Sequence, residues 1–191
     1  MLKTIDVGLM ANHLPAHKGV IHRLEIYENN TKDLQLNVIL KKQIIIMENH
    51  VKVMNQLLNQ TPNIVLPPIP QDVPMNNNHT MKPDTMFEDS SVALDVHFTA
   101  TAMAKENFLS ASNMKDPQAK KLHVEMALQQ LEIAKQYEML AQQLGWLTHP
   151  NASDMERNAA ISPNYPVPNH PTMVNKNNST NLYMNNQNNI N

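Results

Sequence analysis

Apolar positions recur every three or four residues through four stretches of this chain, and polar or proline-rich segments separate them. From about Val7 to Glu28, Met10, His13, His17, Val20, Leu24 and Tyr27 fall on one face of a helix, with Leu14 and Ile21 beside it. Pro15 interrupts this pattern; because the rhythm already holds at Met10, a kink is expected there and not a helix start. The polar run from Glu28 to Asp33 reads as a turn, with Asn30 or Thr31 as the next N-cap. A second helix over 32–60 follows, with Leu36, Ile39, Gln43, Ile46, His50, Val53 and Leu57 on its stripe. Two amphipathic helices on so short a link fold back as an antiparallel hairpin.

The character then changes. Residues 61–88 carry Pro62, Pro67, Pro68, Pro70, Pro74 and Pro83 together with Asn76, Asn77 and Asn78, which no helix survives. So long an irregular link is unusual in a compact domain and requires a geometric reason. A 28-residue helix is about 42 Å long, and an extended link of this size can run back along it. The apolar portion from Ile64 to Pro70 is expected to pack in extended form. A third helix over 89–113 starts near Asp89 or Ser90, and Val92, Val96, Thr99 or Ala100, Met103 and Ser110 form its stripe. Pro117 opens a fourth helix over 117–144, on which Leu122, Met126, Gln129, Ile133, Tyr137, Leu140 and Leu144 align. Gly145 suits the C-cap, and Trp146-Leu147 is expected to fold back as a plug.

The expected fold class is therefore all-α: a ferritin-like four-helix bundle of two antiparallel hairpins joined by a long Pro-rich crossover, with a disordered Asn-rich C-terminal tail. The bundle spans 1–150. Residues 151–191, with Pro163, Pro166, Pro168 and Pro171 before an Asn-rich end, read as extended or disordered.

Composition narrows the function classes. Fourteen Met suit an irregular helical core, and only 3 Gly and 3 Phe argue against hairpin sheets and phosphate-cradling loops. Net charge is -2 without a basic block, which disfavours nucleic acid as a partner. Cys is absent, so disulfides, thiolate metal ligands and thiol nucleophiles are excluded. The first 16 residues lack an apolar signal-like core, and Ile44 to Ile46 is far too short a run to span a bilayer. The expectation is a chain made in the cytoplasm, without a membrane span, that stays in the cell producing it.

Di-iron bundles need Glu-x-x-His pairs, and none of the nine Glu has a His three residues later. A different cluster is suggested. His13 and His17 lie one turn apart on the core face of the first helix, and reflection about the turn sets His50 opposite His13. With the second and third helices parallel, Glu106 and Glu125 fall near the same level. Three His and a carboxylate could hold zinc or another transition metal. The plainer expectation is that these His are polar core residues bonded to each other, to Gln43 or Gln129, or to water.

Other polar residues read as ordinary. His123, beside Glu125, is expected on a solvated helix face, as are Lys120, Lys121, Gln129 and Gln130, for which transglutaminase-like cross-linking is the sharper alternative. Ser90 and Ser91 read as N-caps, and His79, His149 and His170 as exposed. Gln43, Gln129 and Gln136 suggest polar layers that set helix register.

The segments His13-Leu14-Pro15-Ala16-His17-Lys18-Gly19-Val20, Met47 to Met54, the proline-rich joint, and Gly145-Trp146-Leu147-Thr148-His149-Pro150 together resemble the spore coat protein F family of endospore-forming bacteria. The likeness covers about Val7 to Pro150, and the run from Asn158 to Pro166 is similar to tails of such proteins. The resemblance implies a non-enzymatic structural component of the spore coat, with other coat proteins or further copies of itself as partners and no catalytic or cofactor-binding residues. The rival expectations are a ferritin-like metal-binding or redox protein using the His cluster, and a binding module with the proline-rich segment as ligand.

Overall fold

A computed structural model describes residues 1–74 and 87–161, and among these every regular element is a helix. The helices are α1 (Thr4–Asn30), α2 (Leu34–Leu58), α3 (Asp89–Asn113), α4 (Pro117–Gln143) and α5 (Asp154–Ile161). Met1–Thr148 forms one compact unit and His149–Asn191 a second. Within the first, α1 packs on α2 and α3, and α4 packs on α2 and α3, which makes a helical bundle with α1 diagonal to α4.

The helix ends follow from local hydrogen bonding. α1 begins earlier than its apolar rhythm indicates, because Asp6 in its first turn accepts the Lys3 backbone N–H at 2.7 Å. The helix runs unbroken past Pro15, whose ring is exposed. Asn30 and Thr31 do not cap α2: their side chains donate to the carbonyls of Ile26 and Tyr27 and close α1 instead. The α2 cap is Asp33, which accepts the Leu36 N–H at 2.8 Å. Asp116 caps α4 through the N–H groups of Gln118 and Ala119. At the far end, Gly145 takes φ 74°, and the Trp146 N–H returns to the Ala141 carbonyl at 2.7 Å. Trp146 then packs against the core, whereas Leu144, expected on the stripe, is exposed because the helix has already ended.

Asp89 fixes the relation between the hairpins. Its carboxylate accepts the N–H groups of Lys32 at 3.1 Å and Asp33 at 2.7 Å, so α3 starts beside the start of α2. The intervening chain must therefore return along the bundle. Its described part does so in extended form: Ile64 and Leu66 join the apolar cluster around Val53 and Leu57, Ile69 packs on the cluster around Leu40 and Met47, and Pro74 accepts a hydrogen bond from Lys41. The remainder of the crossover, 75–86, lies outside the described residues, as does the expected position of His79.

The core has two apolar clusters. One includes Leu24, Leu36, Leu40, Ile46, Val96, Ile133 and Tyr137; the other, Met10, Met54, Leu57, Met114, Leu122 and Met126. Along α1, α2 and α3, the buried polar residues His13, His17, His50, Asn107 and Ser110 fall between the two.

The second unit corrects an expectation. Residues 154–161, read as extended or disordered, form α5. Ser153 and Glu156 make a capping box, each side chain bonding the other's backbone N–H, and Asp154 adds a favourable charge to the first turn. Tyr165 to Pro168, His170 and the Asn-rich end lie outside the described residues. No helix among those described is long and apolar enough to cross a membrane.

Candidate functional site

The polar layer between the apolar clusters is dominated by imidazoles. The one-turn spacing of His13 and His17 on α1 stacks their rings, with centroids 5.8 Å apart and planes 26° from parallel. α2 brings His50 against His17 at 5.7 Å, and α4 brings His123 against His13 at 5.6 Å, both edge to face. His17, His50 and His123 are completely buried, and His13 is 9% exposed.

His123 corrects the reading of a solvated position. It lies on the core side of α4, and so does Gln130, which is also fully buried and not on a solvated face. The carboxylates expected at this level divide. Glu106 is exposed but lines a 440 Å³ pocket with His13, His17 and Ser110 between α1 and α3. Glu125 instead pairs with Lys121 at 3.6 Å and lines a separate surface pocket with Ile64 and Leu66.

Each ring has one nitrogen held and one without a protein hydrogen-bond partner. His17 Nδ1 meets the His13 carbonyl at 3.0 Å, and His123 Nδ1 meets the Ala119 carbonyl at 2.9 Å. A carbonyl can only accept, so both Nδ1 atoms carry the proton and both Nε2 atoms carry a lone pair. His50 is fixed one step further out. The Gln129 amide nitrogen donates to the Pro67 carbonyl at 2.8 Å, which turns its oxygen towards His50 Nε2 at 2.9 Å. His50 therefore donates from Nε2 and bears its lone pair on Nδ1. His13 Nε2 shares a 2.8 Å hydrogen bond with the Ser110 hydroxyl. The buried atoms left over are His13 Nδ1, His17 Nε2, His50 Nδ1 and His123 Nε2.

The cluster is uncharged at neutral pH. Burial pushes the imidazolium of His17 down to about 3, with His50, His13 and His123 adding repulsion against the bond to the His13 carbonyl. Burial likewise takes His50 to about 4, opposed by the Gln129 oxygen and reinforced by His123. His123 also falls to about 4, from burial first, with the Ala119 carbonyl and Asp6 opposing. His13 is lowered by burial, and Glu106 opposes this. Among the described residues, no group of three or more His, Cys, Asp or Glu could hold a metal ion.

A second polar layer lies beside the first. Tyr137 donates to Gln43 Oε1 at 2.8 Å, and Gln43 reaches Gln130 Oε1 at 3.5 Å. Gln43 and Gln129 therefore have different tasks: Gln43 links α2 to α4, while Gln129 holds His50 and the crossover together.

A solved structure shares this fold. It is the crystal structure of a Bacillus halodurans C-125 protein whose own description, spore coat protein, is provisional. It aligns with a TM-score of 0.64 over 80% of this chain and 96% of that chain, at 17% sequence identity. No family model and no curated protein sequence matches the chain.

Proposed function

We propose that this chain is a non-enzymatic structural component of the bacterial spore coat, related to the spore coat protein F family and built on a ferritin-like bundle of two hairpins. The observation that carries the reading is the likeness of fold to the Bacillus halodurans protein across nearly that protein's whole length. The motif likeness around His13 to Val20 and Gly145 to Pro150 supports it independently. In this reading, the chain is made in the cytoplasm of the sporulating cell and packs into the coat against other coat proteins or copies of itself.

The bundle surface suits such packing. Leu128, Leu131 and Met139 recur at helical spacing on α4 and remain exposed, as do Phe98 and Leu109 on α3. The proposed lack of catalysis draws support from the core imidazoles: they are neutral, fixed by neighbouring oxygens and set between apolar clusters, a poor setting for proton exchange with substrate.

A fluorescent fusion followed through sporulation tests the assignment. The expected result is a ring of signal at the developing spore that persists in purified spores and is released by coat extraction. Signal that stays diffuse in the mother cell and is absent from purified spores removes the coat reading.

A further inference from the structure

We propose that the pocket between α1 and α3 binds a small, mostly apolar molecule bearing one neutral hydroxyl, which His13 and His17 receive at the pocket floor. The inference does not depend on the coat assignment.

The pocket exists because α1 and α3 are tied at separated points and left apart between them. Towards the end of α1, Arg23 donates to the Thr99 hydroxyl of α3 at 2.6 Å and lies 3.7 Å from the Asp95 carboxylate. Nearer its start, His13 meets Ser110 at 2.8 Å, and Asp6 accepts the Lys115 N–H just beyond α3. Between those ties, Ala16 of α1 and Met103 and Glu106 of α3 line the opening, and the alanine methyl is too short to fill it. The volume of 440 Å³ falls within the range of roughly 300–1,000 Å³ usual for small-molecule sites.

Walls and floor differ in character. Leu9, Ala16, Met103 and Leu109 supply apolar surface, whereas the buried side chains of the lining are His13, His17 and Ser110. His17 is completely buried, its Nδ1 is spent on the His13 carbonyl, and its distal Nε2 holds a lone pair without a protein donor. His13 Nδ1 is likewise buried without a protein partner, and its Nε2 is held by Ser110. An apolar cavity with a few polar atoms left to the ligand is how specific small-molecule sites are built. The surface pocket beside the crossover has the same volume, but Gln129 there has already committed its amide to Pro67 and its oxygen to His50.

The polar atoms select the head group. The lone pair of His17 requires a donor, which a carboxylate, ketone or ether does not have. His13 Nδ1 is a donor when Ser110 gives its proton to Nε2, and a hydroxyl, which gives one proton and receives another, then answers both rings. Burial keeps the His17 ring uncharged at neutral pH, so an ammonium at the floor would exchange its hydration for neutral partners at a high cost. Glu106, exposed at the rim and close enough to oppose the lowering of the His13 value, repels anions. A neutral hydroxyl on an apolar body satisfies all three conditions.

The test uses the full chain at neutral pH with 4-propylphenol as probe, beside propylbenzene without the hydroxyl and 4-propylbenzoate with a charge. We expect saturable binding of one phenol per chain, and roughly fivefold or weaker affinity for each counterpart. Long-range 1H–15N spectra should show the His17 Nε2 resonance move as the phenol is added, while the resonances of the exposed His22 stay in place. Ala16→Leu fills the pocket from an exposed position and should abolish saturable binding while Tm is kept. If that variant melts early, Leu109→Trp decides from the opposite wall. Absence of saturable binding by the folded wild type overturns the proposal. So does full affinity in a filled variant that keeps the wild-type Tm, an unmoved His17 Nε2 resonance, or a counterpart bound as tightly as the phenol.

Discussion

The Tyr137 hydroxyl donates to the side-chain oxygen of Gln43 at 2.8 Å in a place where both residues are completely buried. This bond ties α2 to α4 within the apolar cluster formed by Leu40, Ile133 and Ala134. Removing only the hydroxyl, in Tyr137→Phe, leaves Gln43 without its donor and should cost about 1–3 kcal/mol. Gln43→Leu strands the hydroxyl and should cost at least as much. Because the two changes remove one interaction, the double variant should be more stable than the sum of the single losses indicates. Urea melts of the four proteins measure this coupling, and strict additivity would mean that the bond contributes nothing.

Asp6 joins the beginning of α1 to the turn between α3 and α4. Its carboxylate accepts backbone N–H groups from Lys3 and Lys115 at 2.7 Å each and from Asp116 at 3.4 Å. Burial alone would raise its pKa, but the three N–H donors outweigh burial and hold the carboxyl below its usual value. Asp6→Ala should destabilise the bundle by about 1–3 kcal/mol, since it removes a cap and strands two or more part-buried donors. Asp6→Asn should recover only part of that loss, because a neutral amide oxygen is a weaker acceptor. Thermal melts at pH 7 rank the three proteins.

The crossover should be an integral part of the core despite its irregular backbone. Leu66 is 8% exposed and packs with Met10, Val53 and Leu122, and the next residue, Pro67, holds Gln129. Leu66→Ala should cost about 2–3 kcal/mol, as for other buried leucines, and lower Tm by roughly 5–10 °C. Limited proteolysis provides the companion measurement: the variant should be cut between Pro62 and Pro70 faster than wild type.

What was legible in the sequence depended on side-chain size. Long apolar residues such as Leu36, Ile46, Met126 and Ile133 mark helix faces by their own spacing, so the four helices and the hairpin links could be read directly. The crossover was legible because prolines forbid helix and because its length had to match the bundle. His123 was missed for the opposite reason. Its neighbours on the buried line of α4 are Ala119, Ala127 and Gln130, and small or polar residues carry little weight in a hydrophobic stripe. Counting alanine as a core residue would have widened the buried face to include His123 and Gln130. The cap at Asp33 was missed because Asn30 and Thr31, equally good cap formers, bond backwards into α1. The orphaned nitrogens were not readable at all, since they depend on the rotation of Gln129 and on which carbonyl each ring meets.

The imidazole layer makes a prediction for the stability of the bundle in acid. His17, His50 and His123 resist protonation in the fold, with values near 3, 4 and 4, whereas an unfolded chain takes up protons near pH 6.5. Below pH 6.5 the unfolded state thus binds more protons than the folded one, and stability must fall as pH falls. The stabilisation is fully present above about pH 6.5 and drains away down to about pH 4, where the folded rings themselves begin to protonate. A slope of up to three protons, at about 1.4 kcal/mol per proton and pH unit, makes the bundle progressively easier to unfold between pH 6 and pH 4. Carboxylates such as Asp6 act in a lower window, because their unfolded values lie near 4. The Tm read from α-helical circular dichroism should therefore begin to fall above the pH at which carboxylates titrate, and His50→Gln should flatten the pH dependence of Tm between pH 6.5 and 5. A Tm that stays level across that interval in the wild type would mean that water reaches the rings and that the layer is not sealed.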